Sequence, residues 1–196
     1  MPMPTLFPVL PFDPVETPIS YATRLAAFHT GGRLLPFLHD IGVKPKAFAA
    51  GDTEAVERLC AVAGIHSAPV LHNTARTVGK RRSDLRGEEL SAEFLSGSDT
   101  VFCPLCLAED DAAANGNPGG RRQRLSWALR VVRTCPQHQI ALLRRKRQSE
   151  DNRFHELAVR AGARGDPGRA RGELRTPACL TAAGLCDDAA RGWSWA

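Results

Sequence analysis

Two short pairs of metal-binding residues stand out: Cys103-Pro104-Leu105-Cys106 and, 28 residues later, Cys135-Pro136-Gln137-His138. Two residues between a cysteine and a second Cys or His let both side chains aim at one centre. Proline after the leading cysteine stiffens each turn. Together the turns offer three sulfurs and one imidazole, the donor set of tetrahedral zinc, with Zn–S near ~2.3 Å and Zn–N near ~2.0 Å. A catalytic zinc keeps a position open for water, whereas four good ligands close the sphere. The pattern therefore predicts one structural Zn2+, worth ~10–16 kcal/mol to folding in apparent terms. The competing reading is a thioredoxin-like redox pair. It wants a βαβ context, which the sequence lacks, and leaves Cys135 and His138 without a role.

Other residues offer less chemistry. Cys60 lies on the apolar face of a helical pattern and reads as core. Cys179 and Cys186 fall in a stretch without apolar periodicity and do not suggest a second metal site. The densest carboxylate cluster, Glu109-Asp110-Asp111, adjoins one knuckle. It reads as solubilising or docking charge in a loop rather than a two-metal nuclease centre. No nucleophile–base order, phosphate loop or His-Glu-x-x-His is present, so the sequence does not read as an enzyme.

Basic residues concentrate around the metal pattern. Residues 121–147 hold eight Arg and one Lys with no Asp or Glu, against a net charge of +5 for the whole chain. Such a surface attracts phosphates through counterion release. Arg121, Arg122, Arg124, Arg144, Arg145 and Arg147 are the candidates there. A second set, His72, Asn73, Arg76, Lys80, Arg81 and Arg82, belongs to a helix-turn-helix-like segment and would meet a groove and its phosphates.

The elements that must position these residues follow from the local pattern. Five prolines within residues 1–16 predict an extended arm. Thr17 followed by Pro18 predicts a helix with Ile19, Ala22, Leu25, Ala26 and Phe28 on one face, closed by Gly31-Gly32. A short helix over Leu34–Ile41 and a third capped by Asp52 or Thr53 follow. Gly64 makes a turn into a fourth helix, from Ser67 through Val78. Residues 85–98 are polar and suggest no element. Asp111 to Gly120 reads as a flexible loop, and alternation over Leu125–Val131 predicts a strand leading into Cys135. The fold class is mainly α with a small β zinc-ribbon-like module. The expected segments are an arm (1–16), a helical helix-turn-helix-like domain (17–98), a zinc-binding module (99–147) and an atypical tail (148–196).

Hydrophobic residues make up 43% of the 196, enough to bury a core. No stretch approaches the roughly 18 apolar residues of a membrane helix, and the proline-broken start lacks a positive n-region. The default expectation is a cytoplasmic protein with reduced thiols.

The segment Phe102-Cys-Pro-Leu-Cys-Leu-Ala-Glu-Asp110, with Trp127, Arg133-Thr-Cys-Pro-Gln-His138 and Leu142, resembles the TniQ family. Leu10-Pro-Phe-Asp-Pro-Val-Glu-Thr-Pro-Ile-Ser-Tyr-Ala-Thr-Arg-Leu-Ala26 is similar to that family's opening: a proline-rich arm, an acidic residue, then Ser-aromatic-x-x-Arg-Leu. The resemblance covers residues 4–145. It implies a non-catalytic accessory protein of DNA transposition, related to the target selector TnsD. Such a protein links a target recogniser, its own DNA contact or a CRISPR effector, to an AAA+ transposition ATPase. Two departures stand out: Ile140 to Glu150 lacks the further Cys-x-x-Cys knuckle common in the family, and the pattern fades after Val159, as in a truncated or frameshifted end. A zinc-dependent helix-turn-helix transcription regulator is the alternative reading, and an inactive transposon remnant a third.

Overall fold

Capping residues decide where the first helices begin and end. Thr17 Oγ1 accepts from the Ser20 N–H at 3.3 Å, and Pro18 opens α1 (Pro18–Thr30), which Gly31 ends in the left-handed conformation. Asp52 accepts from the Ala55 N–H at 3.0 Å and starts α4 (Thr53–Ala63), ended in the same way by Gly64. Between them lie α2 (Leu34–Asp40) and a five-residue α3 (Pro45–Ala49), opened by Pro45 at its first position and outside the expected elements. α5 (Ser67–His72) follows α4 across the Gly64 turn. The computed structural model describes residues 5–97, 99–115, 117–147 and 156–157, all within one unit spanning residues 1–162. The expectations for the tail, Cys179 and Cys186 included, lie outside the described residues.

The helices bury one apolar core. Tyr21, Leu25, Leu38, Val56, Leu59, Cys60 and Val70 are its most enclosed members, so Cys60 is core as its position on the helix implies. Burial pushes its thiol up to about 11. A second, smaller core gathers Val101, Phe102, Leu107 and Trp127 around Cys103, Cys106 and Cys135. The fold is thus a set of short helices with small antiparallel sheets, a mixed α architecture carrying a small β module.

In the chain between the two cores comes a three-stranded antiparallel sheet, β1 (Arg76–Gly79), β2 (Arg82–Leu85) and β3 (Glu88–Ser91), in that order. It occupies residues that read as the end of a helix and a polar stretch. The sequence pattern carries the fourth helix through Val78, but the helix stops at His72. Thr74 turns its hydroxyl back onto the Val70 carbonyl at 2.8 Å, and the Thr77 N–H crosses to the Ala50 carbonyl at 2.8 Å. Gly51 makes that crossing possible: its φ is 75°, and a Cβ there would sit 2.5 Å from the Ala75 carbonyl oxygen.

The strand expected over Leu125–Val131 is also absent. Residues Leu125–Ala128 form a 3-10 turn instead. The first half bonds locally (Trp127 N–H to Arg124 O, 3.0 Å) and to the arm (Leu125 N–H to Val15 O, 2.7 Å), and pairing is confined to one antiparallel bridge, Leu129 with Leu95, flanked by Ser96 N–H to Ala128 O and Arg130 N–H to Phe94 O at 2.7 Å. Only Trp127 of the alternating set is fully buried, and Val131 is 65% exposed. The loop expected from Asp111 starts later, because the helix after Cys103 runs to Ala113.

The arm is stitched to the chain that precedes the second knuckle. Thr17 N–H bonds Gln123 O at 2.9 Å, Gln123 N–H bonds Ser20 Oγ at 2.9 Å, and Glu16 bridges Arg124. Side chains finish the seam. Ser20 Oγ donates to Glu16 at 2.7 Å, Arg24 pairs with Glu16 at 2.6 Å, and Arg24 Nε donates to the Gly119 carbonyl at 2.9 Å. Tyr21 Oη donates to the Leu10 carbonyl at 2.8 Å. The acid-Ser-aromatic-x-x-Arg pattern is therefore a latch between arm, first helix and metal-ligating segment.

Candidate metal centre

Two different devices aim the four ligands. β4 (Thr100–Phe102) delivers Cys103 as the residue capping α6 (Pro104–Ala113), and Cys106 sits in the first turn of that helix. β4 pairs with β5 (Leu143–Arg145) in antiparallel register, Phe102 opposite Leu143. The second pair lies in a tight hairpin. Gln139 N–H returns to Cys135 O at 2.8 Å with Gln139 at φ 55°, and Cys135 N–H bonds Ile140 O at 2.8 Å. Thr134 and Ala141 bridge beside it. The β4–β5 ladder brings the two devices together.

The donor atoms of Cys103, Cys106, Cys135 and His138 all lie within 4.8 Å of one another. His138 Nδ1 is 3.5 Å from Cys103 Sγ, 3.3 Å from Cys106 Sγ and 3.7 Å from Cys135 Sγ, while Cys106 and Cys135 sulfurs are 3.6 Å apart. Tetrahedral bonds of ~2.3 and ~2.0 Å place neighbouring donors roughly 3.5–3.8 Å apart, so the spacing fits a single ion. The sulfurs are too far apart for a disulfide. The cysteines are at most 2% exposed, so the centre is walled by protein. The four residues form a site able to hold one metal ion.

Electrostatics within the metal-free cluster divide the thiols. Burial pushes the Cys103 thiol up, and burial with the neighbouring sulfurs pushes Cys106 up to about 12. For Cys135, burial acts upward too, but the His138 and Gln137 backbone N–H groups and the His138 ring outweigh it, bringing the thiol to about 7. Hydrogen bonds to Cys135 and Glu109 raise His138.

The carboxylates next to the knuckle are not loose surface charge. Glu109 takes the His138 Nε2 hydrogen bond at 2.9 Å and that of Gln137 Nε2 at 2.9 Å, which leaves His138 Nδ1 for the metal. Asp110 is buried and binds Arg124 through both carboxylate oxygens as well as the Arg122 N–H at 2.9 Å. Asp111 holds Arg121 in a two-point pair of 2.9 and 2.8 Å. Arg124 also lies over the Trp127 ring, 5.1 Å from its centroid. Sequence reasoning missed these roles. The one available signal was that acidic residues on α6 are matched by arginines at 121, 122 and 124.

The candidates for nucleic-acid contact scatter. Arg121, Arg122, Arg124 and Arg144 are paired with Asp111, Asp13, Asp110 and Asp99. Arg76, Arg81 and Arg82 are paired with Asp84, Glu93 and Glu89 on the three-stranded sheet and its following turn. Asn73 is 1% exposed. Its Nδ2 donates to the Pro14 and Glu16 carbonyls at 2.8 Å, and its Oδ1 accepts from Arg86 at 2.7 Å. It pins the arm and has no free edge for a base. His72 and Lys80 are exposed, on the end of α5 and in the β1–β2 turn. Arg145 lies on β5, and Arg147 follows it. Arg130 and Arg133, outside both sets, are exposed beside Val131 and make no ion pair among the described residues.

A family model described as TniQ matches residues 7–142, which takes in the arm latch and both knuckles. The chain belongs to the TniQ family and is thereby a transposition-associated accessory protein. No curated protein and no solved structure matches it. Among the described residues no helix is long and apolar enough to cross a membrane.

Proposed function

We propose that this chain is a non-catalytic adaptor of DNA transposition, coupling target-site recognition to an AAA+ transposition ATPase in the cytoplasm. The observation that carries this is the walled four-ligand centre on a family-matched scaffold. Three sulfurs and one imidazole suit Zn2+, and four such ligands complete a tetrahedral sphere with no position left for a reacting water. The zinc is structural: it ties α6 to the hairpin at Cys135 and so shapes the surface around residues 129–139. That surface carries Arg130 and Arg133, whose charges are not spent on internal carboxylates. These two are the phosphate contacts of the adaptor. The extended arm, with Phe7 90% exposed and Val9 and Val15 half exposed, offers the ATPase a segment that loses little entropy on docking. A CRISPR effector or another selector would supply the target site where the chain's own DNA contact does not. The transcription-regulator reading finds less support, since α5 has only six residues to enter a groove.

The experiment is reconstituted transposition with the transposase and ATPase of the same element. Targeted insertions should appear with this chain and vanish without it. Equal insertion frequency and targeting in its absence would refute the adaptor role.

A further inference from the structure

A groove of about 780 Å3 lies among α1, α2 and α3, and none of the four metal-site residues lines it. Ile19, Leu34, Leu35, Leu38 and Phe48 form its floor and walls. Leu35 is 37% exposed there, on a helix whose other leucines are buried. The rim is cationic. Lys44, Lys46 and Arg147 line it, and among the described residues no acidic side chain does. Lys44 and Lys46 are exposed and take part in no ion pair among the described residues, unlike eight of the fifteen described arginines.

We propose that this groove binds an acidic amphipathic helical segment of a protein partner. An apolar floor takes the stripe that a helix presents at i, i+3, i+4 and i+7. Two unpaired lysines flanking the floor select Asp or Glu beside that stripe and disfavour basic segments. Nucleic acid is the poorer occupant: the floor is apolar, and among the described residues its phenyl ring, Phe48, is 4% exposed and cannot stack on a base. The inference goes beyond the adaptor reading and holds whichever protein carries the segment.

The test is selection from a displayed library of peptides about 16 residues long, the length of some four helical turns, on the zinc-loaded full chain. The leading peptide is then synthesised and titrated by fluorescence anisotropy. Recovered sequences should share apolar residues at helical spacing flanked by Asp or Glu. Lys44→Glu with Lys46→Glu should weaken binding by at least about tenfold, and Leu35→Asp should do the same. All three side chains reach solvent; should the glutamate pair disturb folding, Lys44→Gln with Lys46→Gln replaces it, with a smaller loss expected. Recovery of no acidic amphipathic sequences, or binding indifferent to all these changes, overturns the proposal. So does tighter binding of phosphatidylglycerol vesicles or duplex DNA with the same dependence on Leu35 and the lysines, which would give the groove to lipid or nucleic acid.

Discussion

Arg24 closes on Glu16 at 2.6 Å with side chains only 8% and 0% exposed, and the same guanidinium holds the Gly119 carbonyl 95 residues further along. One pair thus joins the arm, the first helix and the approach to the second knuckle. Breaking a buried pair strands the other charge, at a cost of about 3–5 kcal/mol. Arg24→Ala should therefore lower the stability of the zinc-loaded protein by about that amount in urea denaturation. Glu16→Leu combined with Arg24→Met should recover much of the loss. A change below about 1 kcal/mol for Arg24→Ala would mean the latch is not structural.

Glu109 accepts from His138 Nε2 at 2.9 Å, and in doing so selects the tautomer whose Nδ1 faces the sulfurs. Removing such a partner typically costs about 10–100-fold in metal affinity. Glu109→Ala should show a loss in that range by competition with a chromogenic chelator, while far-UV circular dichroism of the metal-saturated protein stays unchanged. Unaltered affinity would return Glu109 to ordinary surface charge.

Metal uptake should release protons in a countable way. Near pH ~8 the Cys106 thiol, at about 12, and Cys103, raised by burial, are protonated in the metal-free protein, whereas Cys135, at about 7, is already mostly thiolate. Coordination requires three thiolates and a neutral imidazole, so loading should expel at least about two protons. As pH falls through 7 Cys135 adds another, as does His138, which its hydrogen bonds to Cys135 and Glu109 raise, and affinity drops with acidity. Calorimetry in buffers of different ionisation enthalpy counts them. Release of fewer than about one would place the protons elsewhere in the cluster.

The parts legible in the sequence are those that depend on near neighbours. Thr17, Pro18, Gly31, Asp52 and Gly64 act within one helical turn and mark helix ends correctly. The knuckles are equally local, each set by four consecutive residues. The illegible parts depend on distant partners. The 125–131 alternation looks like a strand, but its first half turns as a 3-10 helix whose Leu125 N–H goes to the arm, and only Leu129 pairs, across to Leu95. β1 to β3 are polar and mostly exposed, held by cross-strand pairs such as Arg76–Asp84 that carry no apolar period. Asn73 and the 121–124 arginines look like binding residues because their internal partners lie far away or on another element, at Pro14, Asp13 and Asp110. A charge count cannot distinguish a spent arginine from a free one.

That distinction makes a prediction for DNA. Arg130→Ala with Arg133→Ala should weaken duplex binding and reduce the salt slope by about 0.9 for each phosphate that is no longer neutralised, without changing stability. Arg124→Ala should instead destabilise the fold, because it uncovers Asp110. Electrophoretic mobility shifts across a salt series, read beside thermal melts, separate the two. An unchanged slope in the Arg130/Arg133 variant would remove those residues from the interface.

A structural zinc is proposed to hold the segment before the second knuckle, onto which Glu16 and Arg24 latch the arm, so that this TniQ-family chain presents that arm to its ATPase. The most direct measurement is the affinity of the zinc-loaded chain for the AAA+ ATPase of its own element, compared with Cys103→Ser. The account predicts clear binding by the wild type and a loss of at least about tenfold in the variant, because an open ligand position collapses the knuckle pair. Absent wild-type binding, or equal binding by Cys103→Ser, would contradict it.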